Sequence, residues 1–236
     1  MSVLERLRGG LIVSVQAEET SVLGEPETIA LLARCAVQNG AVAVRVEGLE
    51  RIRAVRAAVA VPIVGLIKGR ASGFWPYITT SLDDVDAICV AGAEIVAFDA
   101  TLRPRESGAT VAEIVDRAQQ MKHLALADCA TIEDGQAAVA VGADIVATTL
   151  AGYTTETTGR RLPALDLVGA LAHLHPFAVC EGGIAEPDQV RAAFAAGASA
   201  VVVGTAITNV DALTRRFAEA ASAFSRRGEA SPGSLM

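Results

Sequence analysis

The chain has 236 residues, 52% of them hydrophobic and 4% aromatic, with a formal charge of −7. With no basic block to neutralise a run of phosphates and too few rings for a stacking platform, nucleic acid is excluded as a partner. A start without the basic-then-apolar profile of a secretion signal, no apolar stretch long enough to cross a bilayer, and cysteines (Cys35, Cys89, Cys129, Cys180) scattered without a CxxC pair point to a soluble cytoplasmic protein.

Short β-branched runs then alternate with alanine-rich amphipathic stretches along the chain. Leu11 to Gln16 reads as a strand and Glu25 to Asn39 as a helix, then Val42 to Val46 with Leu49 to Val59, and Ile63 to Ile67 with Leu82 to Ala91. Ile95 to Asp99 is followed by Val111 to Met121, Leu124 to Ala127 by Ile132 to Val141, and Ile145 to Thr148 by Leu165 to Leu171. Phe177 to Cys180 with Pro187 to Ala196, and Ala200 to Val203 with Asp211 to Phe224, complete the series. The strands are continuous apolar runs, as parallel strands covered on both faces require. Several helices end in Gly-Ala, at Gly40, Gly92, Gly142 and Gly197, where glycine supplies a left-handed cap before the next strand. Eight strand–helix units predict an α/β TIM barrel over residues 1–224, with a polar tail over 225–236.

Barrels of this kind build their sites at the C-terminal rim, so polar residues at the strand ends are the candidates. They are Gln16, Arg45, Lys68, Asp99 with Thr101 and Arg103, Asp128, Thr148 with Thr149, Glu181, and Gly204 with Thr205. Charge atop an apolar barrel is costly unless it is paired or functional. Lys68 stands out because the chain has two lysines against eighteen arginines. An ammonium can lose its proton where a guanidinium cannot, so a rim lysine suits proton transfer or Schiff-base chemistry. A strand-end cation in solvent is the other reading of that position.

Glycines after strands seven and eight, in Cys180-Glu181-Gly182-Gly183-Ile184 and Val203-Gly204-Thr205-Ala206, leave backbone amides open to an anion. A short helix from near Thr205 would aim its positive end at the same place, so Gly182, Gly183, Gly204 and Thr205 form a candidate phosphate cup. His123, His173 and His175 precede strands five and seven, on the opposite face, so no metal site is expected at the rim.

Leu11-Ile12-Val13-Ser14-Val15-Gln16-Ala17, Gly65-Leu66-Ile67-Lys68, Ala97-Phe98-Asp99-Ala100-Thr101 and Leu126-Ala127-Asp128 resemble the N-acylglucosamine-6-phosphate 2-epimerase family, as do Thr148-Thr149-Leu150-Ala151-Gly152-Tyr153-Thr154, Cys180-Glu181-Gly182 and Val203-Gly204-Thr205-Ala206-Ile207-Thr208. The resemblance, from Leu11 to Phe217, implies a TIM-barrel isomerase of sialic-acid catabolism that epimerises C2 of N-acetylmannosamine 6-phosphate without a cofactor. It places the catalytic pair on Lys68 and Glu181 and substrate contacts on Gln16, Arg45 and Asp128, with Thr149 and Tyr153 in the matching sixth-strand motif. Which of Lys68 and Glu181 is base and which is acid stays open, because a coupled pair has no private titrations. Where the family often carries arginine, this chain has Gly69, Gly183 and Asn209, with Arg70 a substitute for the first. A Schiff-base aldolase and a non-catalytic sugar-phosphate binder are the competing readings, and a homodimer is the expected assembly.

Overall fold

In a computed structural model of the chain, which describes residues 1–69 and 76–228, eight parallel strands close on themselves, each pairing with its sequence neighbours and β8 returning to β1. They are β1 (Leu11–Val15), β2 (Ala43–Glu47), β3 (Ile63–Leu66), β4 (Ile95–Asp99), β5 (Leu124–Asp128), β6 (Ile145–Ala147), β7 (Ala178–Glu181) and β8 (Ala200–Val203). The helices are α1 (Val3–Leu7), α2 (Pro26–Gln38), α3 (Leu49–Ala58), α4 (Leu82–Ala91), α5 (Val111–Gln120), α6 (Ile132–Ala140), α7 (Leu165–Leu174), α8 (Pro187–Ala195), α9 (Thr205–Thr208) and α10 (Val210–Gly228). This is the expected TIM barrel.

Local chemistry sets the element ends. Ser81, Thr110 and Thr131 cap α4, α5 and α6 by accepting from the third-residue amide, while that residue's carboxylate accepts in return. Pro26 and Pro187 open α2 and α8, where a missing N–H costs nothing. After α4, Gly92 takes φ 102°, the left-handed cap that turns the chain into β4.

Alternation along each strand separates two cores. Val44, Val46, Val96, Ala125 and Val146 face the helices, whereas Ile12, Ala43, Val64, Ile95, Leu126, Val179 and Val202 fill the bore. Position 65, between bore-facing Val64 and Leu66, faces the helices, and it is glycine because a Cβ there would come within 2.7 Å of Ile88 and Ala93 side chains.

The sequence reading missed α1, which is a single turn and too short to show periodicity. Its Leu7 is fully buried in the bore cluster and closes the N-terminal end of the barrel. Arg8, beside it, lies 5.1 Å over the Phe177 ring. The end of α7 runs on to Leu174, and α10 continues to Gly228, beyond the expected stop at Phe224. Of the polar tail, residues 229–236 lie outside the described residues, as does Arg70. No described helix is long and apolar enough to cross a membrane.

Candidate active site

Period two in the strands decides which rim side chains reach the barrel mouth. Arg45 is two residues beyond bore-facing Ala43, Asp128 two beyond Leu126, Glu181 two beyond Val179, Thr149 two beyond Ala147 and Lys68 two beyond Leu66. All five therefore converge over the bore. The site is thus a consequence of strand register, with the same alternation that fills the core carrying polar groups at its last inward step.

At the centre is a buried ion cluster. Arg45, 1% exposed, donates from its two terminal nitrogens to Asp128 at 3.0 and 2.6 Å and lies 3.0 Å from Glu181 Oε2. Thr149 donates its hydroxyl to Asp128 Oδ1 at 2.5 Å and sits 3.2 Å from Glu181 Oε2. The Thr148 side chain locks the Glu181 backbone from both sides, donating to its carbonyl at 2.8 Å and accepting from its amide at 3.0 Å. A bidentate guanidinium–carboxylate pair is the geometry that best offsets the cost of removing both charges from water.

The charge states follow from that crowding. Burial pushes the Glu181 carboxyl up to about 7, with Arg45 pulling it down and the Asp128 carboxylate pushing it further up. Lys68 is exposed at the rim, where solvent moderates the effect, yet partial desolvation and then the Arg45 charge lower its ammonium from the ordinary value, against the pull of Glu47, Glu181 and Asp128. Glu181 does draw Lys68 toward its charged form, as expected from sequence, but partial desolvation and Arg45 together outweigh it.

Lys68 is held by a short antiparallel return. It bridges Ile78, while the Gly69 amide donates to the Tyr77 carbonyl at 2.9 Å and the Thr79 amide to the Ile67 carbonyl at 2.8 Å. Tyr77, which the sequence reading did not single out, thereby joins the wall of the mouth, and burial pushes its phenol upward.

A cavity of about 700 Å³ occupies the mouth, lined by Lys68, Glu181, Gln16, Arg45, Thr149 and Tyr153 and by the loop residues Gly182, Gly183, Gly204 and Thr205. The two catalytic candidates and all four candidate anion-cup residues thus share one space. Asp128 does not line it. It is fully buried beneath Arg45, so its carboxylate meets protein and not the cavity. The cup itself is shaped by glycine: Gly182 and Gly183 take φ 107° and 72°, and a Cβ on Gly183 would stand 2.2 Å from Leu162 Cβ. On the β8 side Thr205 and Ala206 open α9, so their amides have no acceptor within the helix. The Thr208 hydroxyl ties α9 to β1 by donating to the Ser14 carbonyl at 2.7 Å.

Comparison with known proteins places this geometry. A family model described as "Putative N-acetylmannosamine-6-phosphate epimerase" matches residues 29–223. The chain belongs to the N-acetylmannosamine-6-phosphate epimerase family. Relatives that bear the name "Putative N-acetylmannosamine-6-phosphate 2-epimerase" align along most of the chain. That of Synechococcus elongatus is 46% identical over 93% of this chain and 97% of its own length. That of Caldanaerobacter subterraneus subsp. tengcongensis is 41% identical over 92% and 93%. The solved N-acetylmannosamine-6-phosphate 2-epimerase from Clostridium perfringens superposes with a TM-score of 0.89 at 34% identity, covering 93% of this chain and 96% of that one.

The family pattern also locates what is particular here. Of the three positions where an arginine was expected, Gly183 has no room for a side chain against Leu162. Asn209 instead caps α10, its Oδ1 accepting from the Ala212 amide at 2.9 Å. Sequence reasoning also passed over Glu18, Leu213, Arg216 and Phe217, which line the cavity from the β1–α2 loop and α10. For the three on α10 the one available signal was spacing: with 209, positions 213, 216 and 217 recur at i, i+4, i+7 and i+8, one face of a helix.

Proposed function

We propose that the chain interconverts N-acetylmannosamine 6-phosphate and N-acetylglucosamine 6-phosphate by removing the C2 proton and returning one to the opposite face. The observation that carries this is that Lys68 and Glu181 line one cavity within each other's electrostatic influence, with the amine shifted down and the carboxyl shifted up to about 7. Such shifts bring both groups toward the pH at which each exchanges a proton readily.

The C2 hydrogen of an amino sugar is acidic only when C1 is an aldehyde, so the ring opens before the proton leaves. Deprotonation gives an enediolate-like anion. The Lys68–Glu181 pair carrying a single proton has what both half-reactions need, since one member is then a base and the other an acid. Lys68 moves the C2 proton in this scheme, and Glu181 is its partner or assists ring opening. Arg45, anchored by Asp128, holds Glu181 and presents its guanidinium to the sugar, with Gln16, Thr149 and Tyr153 beside it. Asp128 is then a positioning residue. The glycine amides at Gly182, Gly183 and Gly204, with Thr205, receive the 6-phosphate, which fixes C2 over the pair.

Turnover in D2O tests this. Deuterium is expected at C2 of the product, and product formed with hydrogen retained at C2 would replace proton exchange with internal transfer. The same reading includes a homodimer, supported by the exposed apolar side chains Ile207, Val210 and Phe217 beside the mouth. It includes the cytoplasm, supported by four unpaired thiols, three of them buried.

A further inference from the structure

The cavity contains a cation that the ion cluster does not use. Among the described residues three basic side chains line it: Arg45, Lys68 and Arg216. Arg45 is committed to Asp128 and Glu181, and Lys68, just beyond β3, is a member of the reacting pair. Arg216, on α10, makes no ion pair or hydrogen bond among the described residues, whereas its neighbour Arg215 is held by Glu18. Among the described residues, no other uncommitted cation lines the cavity to meet a dianion seated in the glycine cup.

Helix geometry directs Arg216 to that cup. Asn209, Leu213 and Arg216 fall on one face of α10, and all three line the cavity. Side chains on a helix lean toward its N-terminus, so the guanidinium reaches back along α10 toward Asn209 and α9, where Thr205 and Ala206 contribute their amides. The carboxylates lining the cavity do not claim it. Glu181 is paired with Arg45, and Glu18 accepts from Arg215 at 2.5 Å and from Asn209 Nδ2 at 3.4 Å. Glu186, the third, stands at the start of α8 and makes no ion pair with Arg216 among the described residues.

We infer that Arg216 is the phosphate-binding cation of this chain, supplying from two turns along α10 the charge that Asn209 does not provide at the start of that helix. The planar guanidinium fork matches a terminal phosphate bidentately, and that contact is made equally in ground and transition states. Loss of such a contact raises KM more than it lowers kcat.

The inference rests on the sugar-phosphate reading, and the test separates the two. Inorganic phosphate binding is measured by calorimetry on the full chain, together with kcat and KM for N-acetylmannosamine 6-phosphate. Arg216→Ala is expected to weaken phosphate binding and raise KM by about tenfold or more, with a smaller fall in kcat. Adding Asn209→Arg to that variant is expected to recover a large part of both. Unchanged phosphate affinity and KM in Arg216→Ala, from an enzyme that epimerises normally, overturns the assignment and leaves the epimerase reading intact. Weakened phosphate binding in a chain that shows no epimerisation keeps the assignment and overturns the epimerase reading. Arg191→Ala, on the outer face of α8 and paired with Asp188, is the control for loss of one surface charge.

Discussion

Arg45 of β2 and Asp128 of β5 meet across the bore in a two-pronged ion pair, at 3.0 and 2.6 Å, with almost no surface left to solvent. Removing one partner would strand the other charge in the interior. Asp128→Ala is expected to cost about 3–5 kcal/mol in urea unfolding, because the guanidinium then faces only Glu181. Asp128→Asn should cost less, since the amide oxygen still accepts. Both should lower turnover through misplacement of Arg45 and Glu181. An Asp128→Ala protein as stable as the parent would show that the pair does not hold the rim together.

The Lys68–Glu181 pair predicts a bell-shaped dependence of kcat/KM on pH. With both groups protonated there is no base, and with both deprotonated there is no acid, so only the singly protonated pair turns over. The acidic limb should fall near pH 7, where Glu181 titrates. Glu181→Gln should abolish that limb along with most activity. A profile flat from pH 5 to 9 would rule the pair out.

The same carboxyl shapes stability. Its folded pKa of about 7 lies above the ordinary value of 4.5, so between those values the native state binds more protons than the unfolded one. Stability from this group is therefore fully present below pH 4.5 and lost as pH rises through 7. Melting temperatures taken across that window should fall with pH in the parent and fall less steeply in Glu181→Gln. Parallel slopes would mean that the carboxyl is not held protonated by the fold.

Lys68→Ala removes an amine at the mouth and touches no core contact, so the fold should persist while turnover falls by about a thousandfold. Borohydride added with substrate should leave no covalent adduct on the parent enzyme. A trapped secondary amine on Lys68 would point to Schiff-base chemistry instead.

Gly183 holds φ 72° with Leu162 where a side chain would begin. Gly183→Ala is expected to destabilise by about 1–3 kcal/mol from backbone strain, and to raise KM as the cup shifts. A neutral outcome in thermal melts and kinetics would show that the β7–α8 loop yields without cost.

Much of this was visible along the chain. Strand parity alone sends Arg45, Lys68, Thr149 and Glu181 to one mouth, because each stands two residues beyond a bore-facing apolar side chain. The capping pairs Ser81–Asp84, Thr110–Glu113 and Thr131–Asp134 are local, and local chemistry is readable from spacing. By contrast, α1 is one turn long and carries no period, so it became evident only when Leu7 was found plugging the bore.

The amino-acid sequence by itself determined the alternation of strands and helices, the closed barrel and which side chains point inward, since these follow from periodicity and from the need to bury apolar faces. Depth and company were decided only in three dimensions. That Asp128 lies under Arg45 and off the cavity, that Glu181 is crowded enough to titrate near 7, and that Arg216 lines the same cavity as the glycine cup are relations between segments distant in the chain. Electrostatic energy depends on separation and on exclusion of water, and neither quantity exists until those segments meet.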